Sequence, residues 1–270
     1  MMNRIAALEP LLPVAAATVG AVVGSFLNVL IHRLPLGQSV VLPASHCPGC
    51  QQPIRWRDNV PILSFLLLGG RCRHCRRPIG WRYPLVEAAG AGLAYASLRA
   101  FGPSLAGLAA FVFAALLLAI TLIDLAHYII PDVLSLPGIG LGFLAALPGG
   151  GVSWLESGLG ILAGGGLLYG VAIGYQWLAR REGMGGGDIK LLAMIGAFLG
   201  WRAIVPVVFL SAVAGALFGL GAMVRQRRGG QTVIPYGPFL SLAALAYLFR
   251  PEVRVFLHAL WPFLGQWPGL

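Results

Sequence analysis

Leu11-Leu12-Pro13-Val14-Ala15-Ala16-Ala17-Thr18-Val19-Gly20-Ala21-Val22-Val23-Gly24-Ser25-Phe26-Leu27-Asn28-Val29-Leu30-Ile31 runs without a single charge. At ~1.5 Å per residue, a helix of this length crosses a ~30 Å hydrocarbon core. Its flanks argue against a cleaved signal peptide. Only Arg4 precedes it and His32-Arg33 follow it, whereas a signal peptide puts its charge first and has an apolar core of ~7–15 residues. It reads as an uncleaved membrane helix with its N-terminus outside.

The rest of the chain agrees with that opening. Of 270 residues, 58% are apolar before the 38 glycines are counted, and 10% are charged; a soluble domain carries about 25% charge. So few charges cannot cover a water-facing surface, and disorder needs the opposite composition. Further apolar segments lie near 84–101, 104–126, 129–147, 155–178, 188–201, 203–224 and 234–250. The expected fold class is therefore an all-α polytopic membrane protein with about eight transmembrane helices. The tail after Pro251 is expected at an outer interface, where Trp261 and Trp267 suit the depth. No internal repeat is evident.

The net charge of +10 comes from 19 basic residues, of which Lys190 is the only lysine. Position matters more than the sum, because cytoplasmic loops of membrane proteins carry the excess of Arg and Lys. Residues 33–82 hold Arg33, Arg55, Arg57, Arg71, Arg73, Arg76, Arg77 and Arg82 against Asp58 alone. This stretch is expected to be a small folded cytoplasmic unit. The expected organisation is a first transmembrane helix over 1–32, a loop domain over 33–82 and a transmembrane core over 83–270. Threading from an outside N-terminus puts the basic ends near 179–190 and 225–233 inside as well. The arginines are read as facing anionic lipid headgroups of the bilayer, not nucleic acid.

That loop contains Cys47-Pro48-Gly49-Cys50 and Cys72-Arg73-His74-Cys75. Each C-x-x-C places two sulfurs on one side of a tight turn. Two such turns supply the four thiolates of a closed tetrahedral Zn²⁺ site, structural because no coordination position stays open. The neighbouring arginines favour thiolates. Two disulfides or a redox C-x-x-C fit a reducing cytoplasmic loop poorly. His46 and His74 flank the thiols as substitute ligands.

The chain has nine acidic residues. Asp124, in Ile123-Asp124-Leu125-Ala126-His127, closes the third span, and Asp188, in Gly185-Gly186-Gly187-Asp188-Ile189-Lys190, opens the sixth. Threading puts both at the cytoplasmic face, where they can meet. Ionisable groups at membrane depth are costly and mark function. Two carboxylates sharing a site hold one proton between them, which suits one to activate water and the other to protonate a scissile carbonyl. The glycines would let an extended peptide, or the other aspartate, come close. Taken singly, Asp188 could merely cap a helix and Asp124 could merely snorkel. Asp132 after Pro131 reads as ordinary helix-start chemistry. Glu87 is expected to pair with Arg82 or another loop arginine, and His127 lies one turn from Asp124 without an assigned role.

Beyond these local readings, the chain resembles the type IV prepilin peptidases, the bifunctional leader peptidase/N-methyltransferases. The resemblance is carried, in order, by Gly24-Ser25-Phe26-Leu27-Asn28 through His32-Arg33-Leu34-Pro35, the two C-x-x-C turns, Asn59-Val60-Pro61 and Arg82-Tyr83-Pro84-Leu85-Val86-Glu87. It continues with Asp124, Ile130-Pro131-Asp132, Gly185 to Lys190, and Ile234-Pro235-Tyr236-Gly237-Pro238. It implies a Gly-x-Gly-Asp membrane aspartic protease of the bacterial inner membrane with Asp124 and Asp188 as its catalytic pair. Its implied substrates are type IV prepilins and type II secretion pseudopilins. It further implies methylation of the new N-terminus from S-adenosylmethionine, for which no nucleotide-binding glycine motif is present. Ala126 departs from the polar or acidic residue common there. The competing reading is a proton-coupled transporter using the two aspartates as a relay, which leaves the cysteine loop unexplained.

Overall fold

The computed structural model describes residues 9–147, 151–180, 185–226 and 234–252. The expected interfacial tail with Trp261 and Trp267 lies outside the described residues, as do Arg4 and Arg181. Among the described residues there is no β-strand, and eight long helices carry the chain: α1 (Leu12–Arg33), α2 (Arg82–Phe101), α3 (Leu105–His127), α4 (Asp132–Ala146), α5 (Trp154–Ala179), α6 (Gly186–Leu199), α7 (Ile204–Gln226) and α8 (Gly237–Phe249).

Each helix falls on one of the apolar segments, but they are not equal. Four stretches are long and apolar enough to cross a membrane: Leu12–Leu36, Leu105–His127, Trp154–Ala179 and Trp201–Gly221. This is a multi-pass membrane protein. The other four helices fall short for physical reasons. α2 carries Arg82, Glu87 and Arg99. α4, α6 and α8 have 15, 14 and 13 residues, about 20–23 Å of helix at ~1.5 Å per residue. The fourth segment also starts later than expected. Tyr128 ends α3 in the left-handed region (φ 57°), and Pro131, extended, serves as the N-cap of α4.

The chain divides into two compact units, Met1–Phe111 and Val112–Leu270, with α3 running through the boundary. In the first unit α1 and α2 lie against each other at small residues. Gly20 sits on the backbone of Gly90 and Ala91, and a Cβ at Gly24 would lie 2.7 Å from the Val86 carbonyl oxygen. Between these helices the loop forms a short helix, Leu63–Leu67.

In the second unit α6 is the central element. Leu191, Leu192, Met194, Ile195 and Ala197 are all fully buried, as expected of a helix apolar all round. It packs on α4, α5 and α8. The α5–α6 contact again runs backbone to backbone, Gly160 on Gly196 and Gly164 on the Leu192 carbonyl. Ser153 and Glu156 form a capping box at the start of α5. Leu162, Trp177, Leu178 and Phe218 are exposed, which suits contact with lipid. With hydrocarbon outside, helix association relies on close van der Waals fit, and small residues at the contacts allow it.

That dependence is testable. A Cβ at Gly196 meets the Gly160 backbone, while one at Gly166 meets nothing within 4 Å. Gly196→Leu should cost at least ~3 kcal/mol through overpacking, seen as a sharp fall in folded protein in membranes. Gly166→Leu should leave abundance and melting temperature unchanged. Equal tolerance at both positions would contradict the close contact.

Candidate active site and metal centre

Asp124 is on the last turn of α3 and is only 5% exposed. Its Oδ2 accepts the backbone N–H of Gly237 at 3.1 Å. A Cβ at residue 237 would lie 2.6 Å from that oxygen, so this position needs glycine to let the amide reach the carboxylate. The helix start supplies the donor, since the first N–H groups of a helix have no partner within it.

Asp188 is in the first turn of α6 and half-buried. Gly237, which holds Asp124, and Gly187, which precedes Asp188, both pack on Ile130, and the charge of Asp124 bears on Asp188. The second unit therefore brings together the two aspartates singled out from the sequence. The described glycines before Asp188 are already part of the helix start, since α6 begins at Gly186 with Gly185 as its N-cap. Nor does Asp188 cap the helix. Gly187 has a packing role: a Cβ there would lie 2.8 Å from Ile130 Cβ. Its bareness lets the Asp188 turn settle on the α3–α4 connection.

Three neighbours had no assigned role in the sequence reading. The Tyr236 and Ser211 hydroxyls hydrogen-bond at 2.7 Å, and Tyr236 lies within the field of Asp188. Lys190 donates to both oxygens of Asp132 at 2.7 and 2.8 Å, tying α6 to the first turn of α4. Asp132 thus has an ion pair besides its helix-start position. The signal for Tyr236 and Gly237 was the Pro-Tyr-Gly-Pro string itself. Its role was hidden because its partner is 113 residues away. His127 is exposed at the end of α3.

In the first unit the four cysteines converge. Their sulfurs all lie within 4.8 Å of one another, with Cys47–Cys75 at 3.7 Å and Cys50–Cys72 at 4.0 Å. A tetrahedral ion with bonds of ~2.3 Å requires sulfur–sulfur edges of about 3.8 Å. The thiols are free, not disulfide-bonded, and the set fits a metal ion. The Cys47 thiol is drawn down to about 6, first by the Cys50 backbone N–H, against its burial, and then by the Gly49 N–H. Neither His46 nor His74 belongs to the cluster.

The two turns are copies of each other. Cys47 N–H donates to Gln52 and Cys72 N–H to Arg77, at 3.0 and 2.9 Å. Gln51 donates to Cys47 and Arg76 to Cys72, and Ile54 and Ile79 donate to Ser45 and Gly70. Gln51 and Arg76 share the left-handed conformation, φ 59° and 58°. This exposes an internal repeat that the sequence reading missed. Cys47-Pro48-Gly49-Cys50-Gln51-Gln52-Pro53-Ile54-Arg55-Trp56-Arg57 matches Cys72-Arg73-His74-Cys75-Arg76-Arg77-Pro78-Ile79-Gly80-Trp81-Arg82 at both Cys and at Pro, Ile, Trp and Arg. The Cys47 shift comes chiefly from backbone N–H groups and not from the neighbouring arginines, and Arg73 is engaged elsewhere. Its guanidinium grips Asp58 through three hydrogen bonds, the shortest 2.6 Å, and holds that carboxyl below its usual range.

Glu87 departs from expectation. It does not pair with Arg82, whose guanidinium lies over the Tyr83 ring. Instead its Oε2 accepts the Ile62 N–H at 2.7 Å.

Comparison of the sequence with known proteins places the chain in a family. Residues 18–101 match the bacterial peptidase A24 N-terminal domain and residues 111–220 the type IV leader peptidase family. The chain is 42% identical to a prepilin leader peptidase/N-methyltransferase of Burkholderia pseudomallei, over 87% of this chain and 84% of that one. It is 39% identical to the protein of that name from Aeromonas hydrophila (82% and 84% covered) and 38% identical to that of Pseudomonas aeruginosa (88% and 91%). No solved structure matches it. The order of motifs, the meeting of the two aspartates and these identities agree, and the chain belongs to the type IV leader peptidase family.

Proposed function

We propose that this protein is a prepilin leader peptidase and N-methyltransferase. It removes the leader from type IV prepilins and type II secretion pseudopilins, then methylates the new N-terminal residue. The observation that carries the peptidase reading is one buried aspartate, held by the Gly237 amide, within reach of a second aspartate's charge. The family membership supports the same reading. No comparison favours a transporter.

Two carboxylates that feel each other's charge resist ionising together, so the pair favours one proton between them. The ionised member takes a proton from water as the water oxygen attacks the scissile carbonyl. The protonated member donates to the carbonyl oxygen and stabilises the tetrahedral intermediate. On collapse the aspartate that took the water proton passes it to the leaving nitrogen as the C–N bond breaks, and a hydroxyl of the intermediate returns its proton to the other aspartate, so the new N-terminal amine departs and the pair regains its single proton. The Gly237 N–H fixes one Asp124 oxygen and leaves the other to the reaction. S-adenosylmethionine supplies the methyl group in the second reaction. Because that amine exists only after cleavage, methylation follows hydrolysis.

Zn²⁺ is the metal this site would take, held by Cys47, Cys50, Cys72 and Cys75. Four thiolates close the tetrahedron, so the ion shapes the loop and does not bind substrate. The loop over 33–82 is the cytoplasmic domain and 83–270 the peptidase core, with all eight helices embedded in the inner membrane. The charge bias supports an outside N-terminus, with the loop and the aspartates on the cytoplasmic side.

Two outcomes are expected. In membranes, Asp124→Ala and Asp188→Ala should each abolish cleavage of a prepilin at normal protein abundance. Asp124→Ala should still methylate a supplied, already-cleaved pilin, read by mass spectrometry of its N-terminus. Near-normal cleavage by either variant would remove that residue from the site. Loss of both activities in a folded variant would mean that the reactions share one site.

For the metal, purified protein should carry one zinc per chain, and Cys72→Ser should lose it together with loop stability. Absence of zinc, with all four thiols reacting freely in the native protein, would contradict the assignment.

A further inference from the structure

Between α1 and α2 lies a buried polar pair that peptide hydrolysis does not use. Asn28 is 3% exposed and Glu87 8%. Gly24 packs on Glu87 itself: a Cβ at 24 would lie 2.8 Å from the Glu87 Cα. One turn along α1, the Asn28 amide nitrogen donates to the Tyr83 carbonyl at 3.1 Å and the Gly24 carbonyl at 3.4 Å. The Glu87 carboxylate reaches the Ile62 amide, and Tyr83, one turn before Glu87 on α2, receives Asn28.

Among the described residues, Asn28 lacks a donor for its carbonyl oxygen, and Glu87 lacks a cation. Asn28 Oδ1 is buried with no donor among the described residues. Its amide cannot be turned round to cure this, because the nitrogen already faces two carbonyls. Glu87 makes no ion pair among the described residues, where the pairs are Arg73–Asp58, Lys190–Asp132 and Arg202–Glu156. A buried carboxylate without a cation is costly and is not kept for stability.

A strained backbone marks the same place. The N–H that Glu87 accepts belongs to Ile62, whose φ of 62° is an outlier for a β-branched residue. Such strain gathers at functional sites.

We propose that Glu87, with Asn28 Oδ1 on the facing helix, binds an organic cation, an ammonium or a sulfonium. A hard metal ion is a poor fit, since it needs about six or more oxygen ligands. The inference rests on the methyltransferase reading, whose two reactants both carry such a group. The methyl donor has a sulfonium and an α-ammonium. The freshly cut peptide has a terminal ammonium. The site therefore holds either the donor or the amine to be methylated.

The test uses full-length, zinc-loaded protein in detergent and the variant Glu87→Gln. Glutamine keeps an acceptor for the Ile62 N–H and removes only the charge. Binding is measured for S-adenosylmethionine, for its thioether product S-adenosylhomocysteine, and for a cleaved pilin peptide with a free or acetylated N-terminus. Glu87→Gln should weaken one cationic ligand by about 30-fold, the loss typical of a buried charge deprived of its partner. Loss for S-adenosylmethionine alone assigns the sulfonium, and equal loss for the thioether assigns the α-ammonium. Loss of discrimination between free and acetylated peptide assigns the peptide amine. Prepilin cleavage and zinc content should not change.

Asn28→Leu, of similar volume, removes the unpartnered oxygen and should weaken the same ligand by about fivefold, one hydrogen bond's worth. It also carries the test if Glu87→Gln fails to fold. Unchanged affinities for all ligands in a folded variant would overturn the proposal. A wild-type protein that cleaves but never methylates would instead overturn the methyltransferase reading, and the peptide arm would still report on Glu87.

Discussion

The contact of Gly160 with Gly196 brings the backbones of α5 and α6 together, and the second unit depends on it. Lipid outside the helices supplies no hydrophobic drive for them to associate, so fit alone must hold them. With α5 this close, α6 can be buried on every side and also meet α4 and α8. Asp188 stands on the first turn of that helix and Lys190 half a turn later. A helix buried on every side positions them more firmly than a loop would. The Lys190–Asp132 pair and the seat of Gly187 on Ile130 fix the same end a second time.

Asp124 is positioned by the opposite logic. It comes from the far end of a long, deeply buried helix and is oriented by a backbone amide from the start of another. The donor costs no side-chain entropy, and glycine is required so that nothing stands between the amide and the oxygen. Two helix starts, α6 and α8, thus frame a single carboxylate pair. The cysteine loop uses the same economy in another form: one eleven-residue unit, used twice, supplies all four sulfurs.

The fold was legible where it depends on composition. Long apolar runs form helices here, so all eight long helices could be placed from the sequence. Their ability to span was not legible. α4 starts late, after Pro131, while α6 and α8 stop at Gly200 and Arg250, and apolar segments continue through such breaks without a visible change. The aspartates were legible because acids are rare here and each sits at the end of an apolar run. The cysteines were legible by spacing. Gly237, Ser211, Tyr236 and the Glu87–Ile62 bond were not. Each depends on a contact between residues distant in sequence, and a backbone donor leaves no trace in side-chain chemistry. The expectation that Glu87 pairs with an arginine failed because Arg82 turns onto the Tyr83 ring. The repeat was hidden by the differing residues between its matched positions.

The central claim is that Asp124 and Asp188 act as one catalytic unit. Its most direct test is the single-turnover cleavage rate of a prepilin by Asp124→Asn, Asp188→Asn and the double variant, all at equal folded concentration. Members of one concerted device lose their effect together, so the double variant should be no slower than the slower single variant. Multiplying losses, with each single variant retaining its own measurable fraction of the rate, would mean that the two carboxylates act independently and that the pair is not the catalytic centre.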